Sequence, residues 1–527
     1  MLLKPKDILN EYIKGSNFKA SIGSKGLYEQ TKINERFFIG DQWYGAKCGN
    51  DRPLVRHNVI KRIGNYKMSQ VLSNPIAVNF LADGIPTENY LGESFEMLGG
   101  APNNKEINYI MSAFDNYYKT TAERVKLSDI NERILRKAYV SGTAVLYTYW
   151  DTTVFTGLYA DESKNVRLNG DIACEVLDVE DIVFGDPYCE ILQKQPYIII
   201  AGSRDSESVI REARLFGANL TDLTRIKECE KDGKIKVYTK LYKEYNSANG
   251  YTIKCVKVTE NAIVRKSFDT KLRLYPLAIF KWENKNNMIY GESEITYLIP
   301  NQIAINRMIT ANVWSGMTTG MPIMLVNGDT VTDKITNEPG QIIKVYGSNE
   351  DVAGAVKYVT PQSYAEDFDK SINSLIENTL TQSGANEVAL GDSKAENASA
   401  LATMRDAALM PLQIIKNRFY TFSEDVARIW ADFWVTHYGI RKLKIQTAGN
   451  THYIDFDGDR YKELAISARV DVSTAAIYTE REKTQVLISL FEKGVIDRNQ
   501  LLVRLPDGVV PDVKSLLTEE GALNDGV

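Results

Sequence analysis

Residue types that carry enzymatic chemistry are sparse in this chain. Only three histidines occur, His57, His437 and His452. None stands in an HExxH pattern or at an i, i+4 spacing from another, so a zinc hydrolase is not expected. Each reads as a surface or half-buried histidine. The one Gly-Lys pair, Gly233-Lys234, is followed by Ile235 and lacks the upstream glycine of a phosphate-cradling GxxxxGK[ST] loop. GxSxG and GxGxxG are missing too. The acidic run Asp455-Phe456-Asp457-Gly458-Asp459 fails as a calcium loop, because its sixth and twelfth places hold Arg460 and Ile466. A tight Asp-Gly turn between strands is expected there instead. The five cysteines, Cys48, Cys174, Cys189, Cys229 and Cys255, show no CxxC spacing and suit a reducing compartment. Asn397-Ala398-Ser399 fits a glycosylation acceptor, which a chain without a secretory signal does not use. The expectation is a non-enzyme with no catalytic residues, no cofactor and no metal.

If the function is not chemical it is architectural, and composition agrees. The 527 residues are 44% hydrophobic, 25% charged and 10% aromatic, which excludes a disordered chain. No apolar run approaches the roughly 20 residues of a membrane-crossing helix. The longest, Tyr197–Ala201 and Met321–Val326, are strand-sized. Charges interrupt the N-terminal MLLKPKDILNEYIKG, so no signal-peptide core is expected. The net charge of −5 and pI of about 5.6 exclude tight neutralisation of nucleic-acid phosphates.

Residues 1–80 read as mainly helical, with Val59, Ile63, Tyr66 and Val71 on one face of Asn58–Leu72 before Asn74-Pro75 stops it. Ala82–Lys105 reads as a loop, and Ile107–Val140 as a helical block closed by Ser141-Gly142. Strand-like runs follow at Thr143–Asp151, Ala173–Val179, Tyr197–Ala201, Ile235–Tyr245, Tyr251–Val258 and Leu277–Trp282. Their alternation predicts a sheet with one wet face.

A long helix is expected over Gly291–Gly320, broken only by Pro300 near its start. Asn301, Gln302, Asn306 and Asn312 alternate there with Ile303, Ile305, Met308 and Ile309. An ordinary half-buried helix carries Lys and Glu on its other face. This near-neutral face suits a helix flanked by copies of itself, the plainer alternative being a core helix of a large domain. Met321–Thr360 reads as strand and turn, and Pro361–Ser383 as a second helix. Between Pro361 and Ala400 stand seven acidic residues (Glu366, Asp367, Asp369, Glu377, Glu387, Asp392, Glu396) against Lys370 and Lys394. Ser383–Asn397 reads as a loop and Ser399–Thr436 as a helical block with a kink or junction at Pro411. Leu443–Asp457 and Ala465–Val472 read as paired strands, Glu480–Leu501 as helical and Gly521–Val527 as a frayed tail.

The order of landmarks resembles the portal proteins of tailed bacteriophages, in the branch of about 500 residues. The shared features are Arg36–Trp43 (RFFIGDQW), Arg56-His57-Asn58 with a helix closing on Asn74-Pro75, and Ser141-Gly142-Thr143-Ala144. Val179–Pro187 (VEDIVFGDP), Tyr275-Pro276-Leu277 and Tyr290-Gly291-Glu292-Ser293-Glu294 come next. Asn301-Gln302 and Asn306 then mark the first stem helix, and Leu490–Leu505 with Pro511-Asp512 the closing helix pair. Each motif is short, and their collinearity over most of the chain carries the resemblance. The residues over Asp392–Ser399 depart from the pattern, which leaves the tunnel-loop boundary open.

The resemblance implies an α+β, ring-forming portal fold, dodecameric, at one capsid vertex. Residues 1–290 would be N-terminal helices and a β-rich wing, 291–320 the first stem helix, 321–360 a small α/β clip, and 361–383 the second stem helix. Residues 384–398 would be the tunnel loop, 399–477 a long helix and wing strands, and 478–527 a helical crown and tail. Asn386, Glu387, Asp392, Ser393, Lys394 and Asn397 would line the DNA channel. Asp329, Asp333, Lys334, Glu338 and Lys344 would dock the packaging motor. Asn301, Asn306, Asn312, Ser315 and Gly316 would pack stem helices of neighbouring subunits through small and amide side chains. The implied partners are the chain itself, the terminase large subunit, major capsid and scaffolding proteins, a head–tail adaptor, and double-stranded DNA without sequence specificity. No membrane is implied. The implied location is the virion, with assembly in the host cytoplasm.

A pore ringed by basic side chains would brake a sliding polyanion, because each phosphate neutralised deepens the bound state. The acidic stretch 361–400 would instead hold a duplex near the axis by repulsion, screened over about 8–10 Å. The main rival is another virion protein at the head–tail interface, an adaptor or capsid-associated protein that conducts no DNA. A cytosolic enzyme with a novel site and a plain helical scaffold are further rivals. The missing clustered histidines and cysteines argue against the first of these, and the β-rich middle against the second.

Overall fold

The described residues of this computed structural model are 4–46, 53–73, 76–84, 104–156, 158–159, 167–246, 250–319, 323–329, 331, 344–348, 354, 356–359, 365–385, 410–447, 450–461, 465–470, 480–498, 501–502 and 505. Helices α1 (Pro5–Ala20), α2 (Leu27–Ile39) and α3 (Val59–Val71) open the chain. Their ends follow local chemistry. Pro5 sits in the first turn of α1, where a missing N–H is harmless, and Gly40 closes α2 in the left-handed conformation at φ 97°. The Asn58 side chain accepts from the Lys61 N–H at 3.0 Å to cap α3. Strand β1 (Val78–Gly84) follows, then α4 (Asn104–Val125) and α5 (Leu127–Ser141). The single helical block expected over Ile107–Val140 is therefore two helices, broken where Lys126 turns left-handed at φ 54°.

The β-rich region holds β2 (Thr143–Asp151), a short pair β3 (Leu158–Tyr159) and β4 (Arg167–Leu168), then β5 (Asp171–Leu177), β6 (Ile182–Phe184) and β7 (Tyr197–Asp205). Helices α6 (Ser206–Leu215) and α7 (Leu220–Glu228) are capped by Asp205 and Asn219. Strands β8 (Glu230–Lys231), β9 (Lys234–Asn246), β10 (Gly250–Val258), β11 (Ile263–Asp269) and β12 (Leu277–Lys281) complete it. Sequence periodicity overlooked α6, α7 and β11.

One antiparallel sheet runs β11-β10-β9-β7-β6, with β8 on β9, and a second runs β12-β2-β5. The predicted wet face is not found at the centre of either. Ile198 and Ile200 of β7 enter one apolar cluster while Ile199 and Ala201 enter another on the opposite face. On β2, Ala144 and Leu146 point into the largest core and Val145 into its neighbour. Burial on both faces explains why Tyr197–Ala201 is a continuous apolar run. Helix α1 covers one face of the larger sheet through Ile8 and Tyr12, and α6 and α7 close a further cluster through Val209, Ala213 and Ile226.

The long helix α8 (Glu294–Thr319) leads into β13 (Ile323–Val326), which pairs antiparallel with β14 (Val356–Val359). Helix α9 (Ala365–Gln382) returns beside α8. A 3₁₀ turn, Met410–Leu412, holds Pro411 and precedes α10 (Gln413–His437), while residues 399–409 of the expected helical block lie outside the described residues. Strands β15 (Ile440–Thr447) and β16 (Asn450–Asp457) form a hairpin with each other, followed by one turn, α11 (Gly458–Tyr461). Strand β17 (Ala465–Val470) does not pair with that hairpin. It pairs antiparallel with β1, Val78 opposite Val470. The expected Asp457-Gly458 hairpin turn is instead a strand end, and a Cβ on Gly458 would lie 2.1 Å from the Val435 carbonyl oxygen of α10. Helix α12 (Glu480–Glu492) follows.

The largest core lies where α3, α4, α5, β1 and α10 meet. Its centre is aromatic: Trp434 lies 5.9 Å from Phe80 and 5.3 Å from Phe114, and Trp430 lies 5.2 Å from Tyr118. Truncating such a ring to alanine costs about 3–5 kcal/mol. The protein is therefore an α+β fold whose aromatic centre holds α10 firmly against the N-terminal helices.

Candidate functional site

Two short motifs far apart in sequence, Ser141-Gly142-Thr143 and Tyr290–Glu294, meet at the root of α8. Gly142 ends α5 at φ 82°, a conformation that favours glycine. Its absent side chain also admits the other motif: a Cβ on Gly142 would lie 2.6 Å from the Gly291 carbonyl oxygen. One on Gly291 would lie 2.5 Å from the Gly142 oxygen and 2.7 Å from that of Glu283. The two glycines let two backbones cross in contact. Polar bonds fix the crossing. The Gly291 N–H donates to Thr143 Oγ1 at 2.8 Å, Ser293 Oγ donates to the Tyr139 carbonyl at 2.6 Å, and the Trp282 N–H donates to the Gly142 carbonyl at 3.0 Å.

The first turn of α8 adds a buried ion pair. Lys67 Nζ of α3 lies 2.5 Å from Glu294 Oε1, and Trp282 Nε1 donates to Glu294 Oε2 at 3.0 Å. Both charged side chains are under one-tenth exposed. The negative charge stands at a helix N-terminus, where the helix dipole favours it. It bears on its neighbours: burial and the Glu294 charge raise the Glu283 carboxyl above the ordinary range and hold the Tyr139 phenol well above its own. Burial and a hydrogen bond to Glu292 push Tyr297 up to about 12.

One turn further, amides bond α8 to the segment before α3. Gln302 Oε1 accepts from the Val59 and Ile60 N–H groups at 3.0 and 3.3 Å, and its Nε2 donates to the His57 carbonyl at 2.6 Å and to Asn306 Oδ1 at 3.0 Å. Asn306 accepts from the His57 N–H at 3.0 Å and donates to Gln42 Oε1 at 2.6 Å. The Val55 N–H reaches Thr310 Oγ1 at 3.2 Å. On another flank, Asn301 donates to Thr379 Oγ1 at 3.2 Å and Asn312 to Asp369 Oδ1 at 2.8 Å, both on α9. The helix N-terminus of α3 is thus capped by side chains from α8, 243 residues away in the case of Val59.

These contacts revise the sequence reading of the long helix. Asn301, Asn306 and Asn312 bond elements of their own chain, so their amides are not reserved for lateral bonds to neighbouring copies. Gln302 is their central member, and only its type and place in an uncharged helix hinted at that. Ser315 and Gly316 do lie exposed on the last turns, as does Met317. Ile295, Leu298 and Ile305 are in the main core, so α8 leaves that core about halfway along its length.

Of the other predicted positions, Asp329 and Lys344 are exposed near the β13–β14 pair, and the Val331–Val345 bridge ties their two segments. Asp333, Lys334 and Glu338 lie outside the described residues, and so do all six channel candidates, Asn386, Glu387, Asp392, Ser393, Lys394 and Asn397. The fold thus brings the motifs at the root of α8 together, and of the acidic stretch it places Glu366, Asp367, Asp369 and Glu377 on α9, while Glu387, Asp392 and Glu396 lie outside the described residues. Among the described residues no three His, Cys, Asp or Glu side chains group to hold a metal ion, and no helix is long and apolar enough to cross a membrane.

No protein-family model matches the chain. No curated protein matches it either. Among solved structures it is similar to a chain of the virion of a native gene transfer agent particle, at 11% identity and a TM-score of 0.37, covering 94% of this chain and 98% of that one. It is also similar to a chain of the neck of an empty gene transfer agent particle computed with C6 symmetry, at 10% identity and a TM-score of 0.37, covering 90% and 93%. At these identities and scores, the functional reading rests on the chain's own residues.

Proposed function

We propose that this chain is a portal protein, many copies of which close into a ring around a path for double-stranded DNA at one vertex of a phage-like capsid. The observation that carries the reading is the unit α8, β13–β14 and α9: two long helices side by side, joined through a small antiparallel pair. In this reading α8 and α9 form the stem, the β13–β14 segment is the clip that docks the terminase large subunit, and the β-rich region is the wing. The exposed outer turns of α8, with Val313, Ser315, Gly316 and Met317, are available to an adjacent subunit, and small side chains permit close approach. Such a contact is heterologous, and rotation closes it into a ring. The root of α8 supports the reading by a different route. Glycine crossing, buried ion pair and amide network bind the stem to the body, so force on one is carried to the other. Capsid, scaffolding and head–tail adaptor proteins are the further partners of this assignment, and hydrolysis belongs to the terminase.

Sedimentation and negative-stain imaging of the purified full chain test it. Particles of several hundred kilodaltons with end-on rings and a central hole are expected. A monomer at low and high salt alike, or a solid particle, would reject the assignment.

A further inference from the structure

Helix α8 carries two charged side chains, Glu294, buried in its ion pair, and Arg307. Arg307 is exposed and has no hydrogen bond, ion pair or ring contact among the described residues. It lies about 200° round the helix from the buried Ile305, on the face turned away from the core. Arg56 and Lys61, in and beside the segment bonded to α8, are exposed and likewise without an ion pair among the described residues. The other flank of the unit is acidic. Helix α9 carries Glu366, Asp367, Asp369 and Glu377 against Lys370. Its Ile372, Thr379 and Leu380 are buried, whereas Glu377 is exposed and has no ion pair among the described residues. The two flanks are distinct. Asn301 and Asn312 turn toward α9, and Gln302, Asn306 and Thr310 turn toward residues 55–60, on average about 130° round the helix.

We propose that Arg307 docks on α9 of an adjacent copy of this chain, with Glu377 as its carboxylate, so that the basic flank of one α8–α9 unit meets the acidic flank of the next. The inference rests on the ring reading above and names the surfaces that meet. Charge selects the geometry. A two-fold contact would lay like flank on like flank, whereas a head-to-tail contact brings unlike flanks together at every interface, and rotation closes it. Height agrees. Asn301 bonds Thr379 and Asn312 bonds Asp369, so α8 and α9 run antiparallel. From the level of Asn301 and Thr379, Arg307 lies about 9 Å outward along α8 and Glu377 about 3 Å outward along α9. Rotation about a ring axis parallel to the two helices preserves these heights and leaves a difference of about 6 Å, which an extended arginine side chain spans. Arginine also suits the task, being permanently charged and weakly hydrated, with a fork that fits a carboxylate. On the same face of α8, Ala304 and Ala311 stand one turn to either side of Arg307 and present no bulk to a neighbouring helix.

Sedimentation of the full chain at low salt, read as the fraction of protein in rings, tests the contact. Arg307→Glu makes both flanks acidic and Glu377→Arg makes both basic. Each alone is expected to lower the ring fraction about tenfold or more, with amide protection of α3 and α5 unchanged. Equimolar mixing of the two variants sets opposite charges at every interface again, and so does the double variant Arg307→Glu with Glu377→Arg. Both are expected to recover rings, a rescue that a merely structural lesion does not give. Rings undiminished in both single variants would overturn the contact and leave the portal reading standing, and slowed DNA packaging by such Arg307→Glu rings would put Arg307 against the duplex instead. Folded single variants that neither mixing nor the double substitution recovers would overturn it too. A wild-type chain that stays monomeric would overturn both the contact and the portal reading.

Discussion

Replacing Gln302 by methionine removes the centre of the amide network at nearly constant volume. The bookkeeping is specific. The Val59 N–H retains the His57 carbonyl, 2.9 Å away, and Asn306 Oδ1 retains the His57 N–H at 3.0 Å. The Ile60 N–H, in the first turn of α3, has no intrahelical acceptor and loses its partner. Stranding one buried donor costs about 1–3 kcal/mol, and the lost bonds to groups that keep another partner add about 0.5–1.5 kcal/mol each. The extra apolar surface of methionine returns about 1 kcal/mol. With three such bonds, to the Val59 N–H, the His57 carbonyl and Asn306 Oδ1, the expected net loss is about 1.5–6.5 kcal/mol, concentrated in α3 and the middle of α8. The measurement is the local opening free energy of α3 amides by hydrogen exchange, which reads the part of the chain that the change touches. Asn312→Ala is the control: its bond to Asp369 is exposed, and a change within about 0.5 kcal/mol is expected. Equal protection of α3 in Gln302→Met, Asn312→Ala and wild type would refute the argument that α8 caps α3.

Gly291→Ala forces a methyl into two backbone oxygens and is expected to destabilise the α8 root by about 1–3 kcal/mol or more, read as loss of protection in the first turns of α8. Glu294→Gln strands the Lys67 ammonium and is expected to cost about 3–5 kcal/mol, while Lys67→Met with Glu294→Leu recovers most of it; thermal unfolding separates the two. Asp432 accepts the Arg273 and Leu274 N–H groups, yet burial holds its carboxyl above the ordinary range. The folded state therefore binds its proton more readily than the unfolded chain. Its charge subtracts stability above that raised pKa, and the penalty fades as pH falls through it. Asp432→Asn is expected to be neutral or stabilising at neutral pH, with the difference shrinking in acid, as a pH series of melting curves will report. Under the portal reading, Glu387→Lys with Asp392→Lys leaves ring assembly intact and slows DNA passage; unchanged packaging rates in purified proheads would exclude a repulsive lining.

Local signals were legible wherever geometry is local. The strands at Thr143–Asp151 and Tyr251–Val258 lie where the sequence puts them. Long-range partners were not. Nothing near Ala465–Val470 says that its partner is β1 and not the adjacent hairpin, because strand propensity carries no address. The alternation in the β-rich region suggested a wet face, yet the two sheets pack on each other and helices cover their other faces. At the root of α8 the motif residues were visible as types, while their meeting was not. The amides of Asn301, Asn306 and Asn312 suggested contacts between copies because their partners, Thr379, His57, Gln42 and Asp369, lie far off in the sequence.

The pairing of β1 with β17 has a consequence for biosynthesis. The strand that completes β1 emerges from the ribosome almost 400 residues after it, so the edge at Val78–Gly84 stays open through most of translation. Contacts of such separation form slowly and late. A nascent or truncated chain ending before Ala465 therefore carries an unsatisfied strand edge, a hazard for aggregation that a chaperone or rapid release must cover.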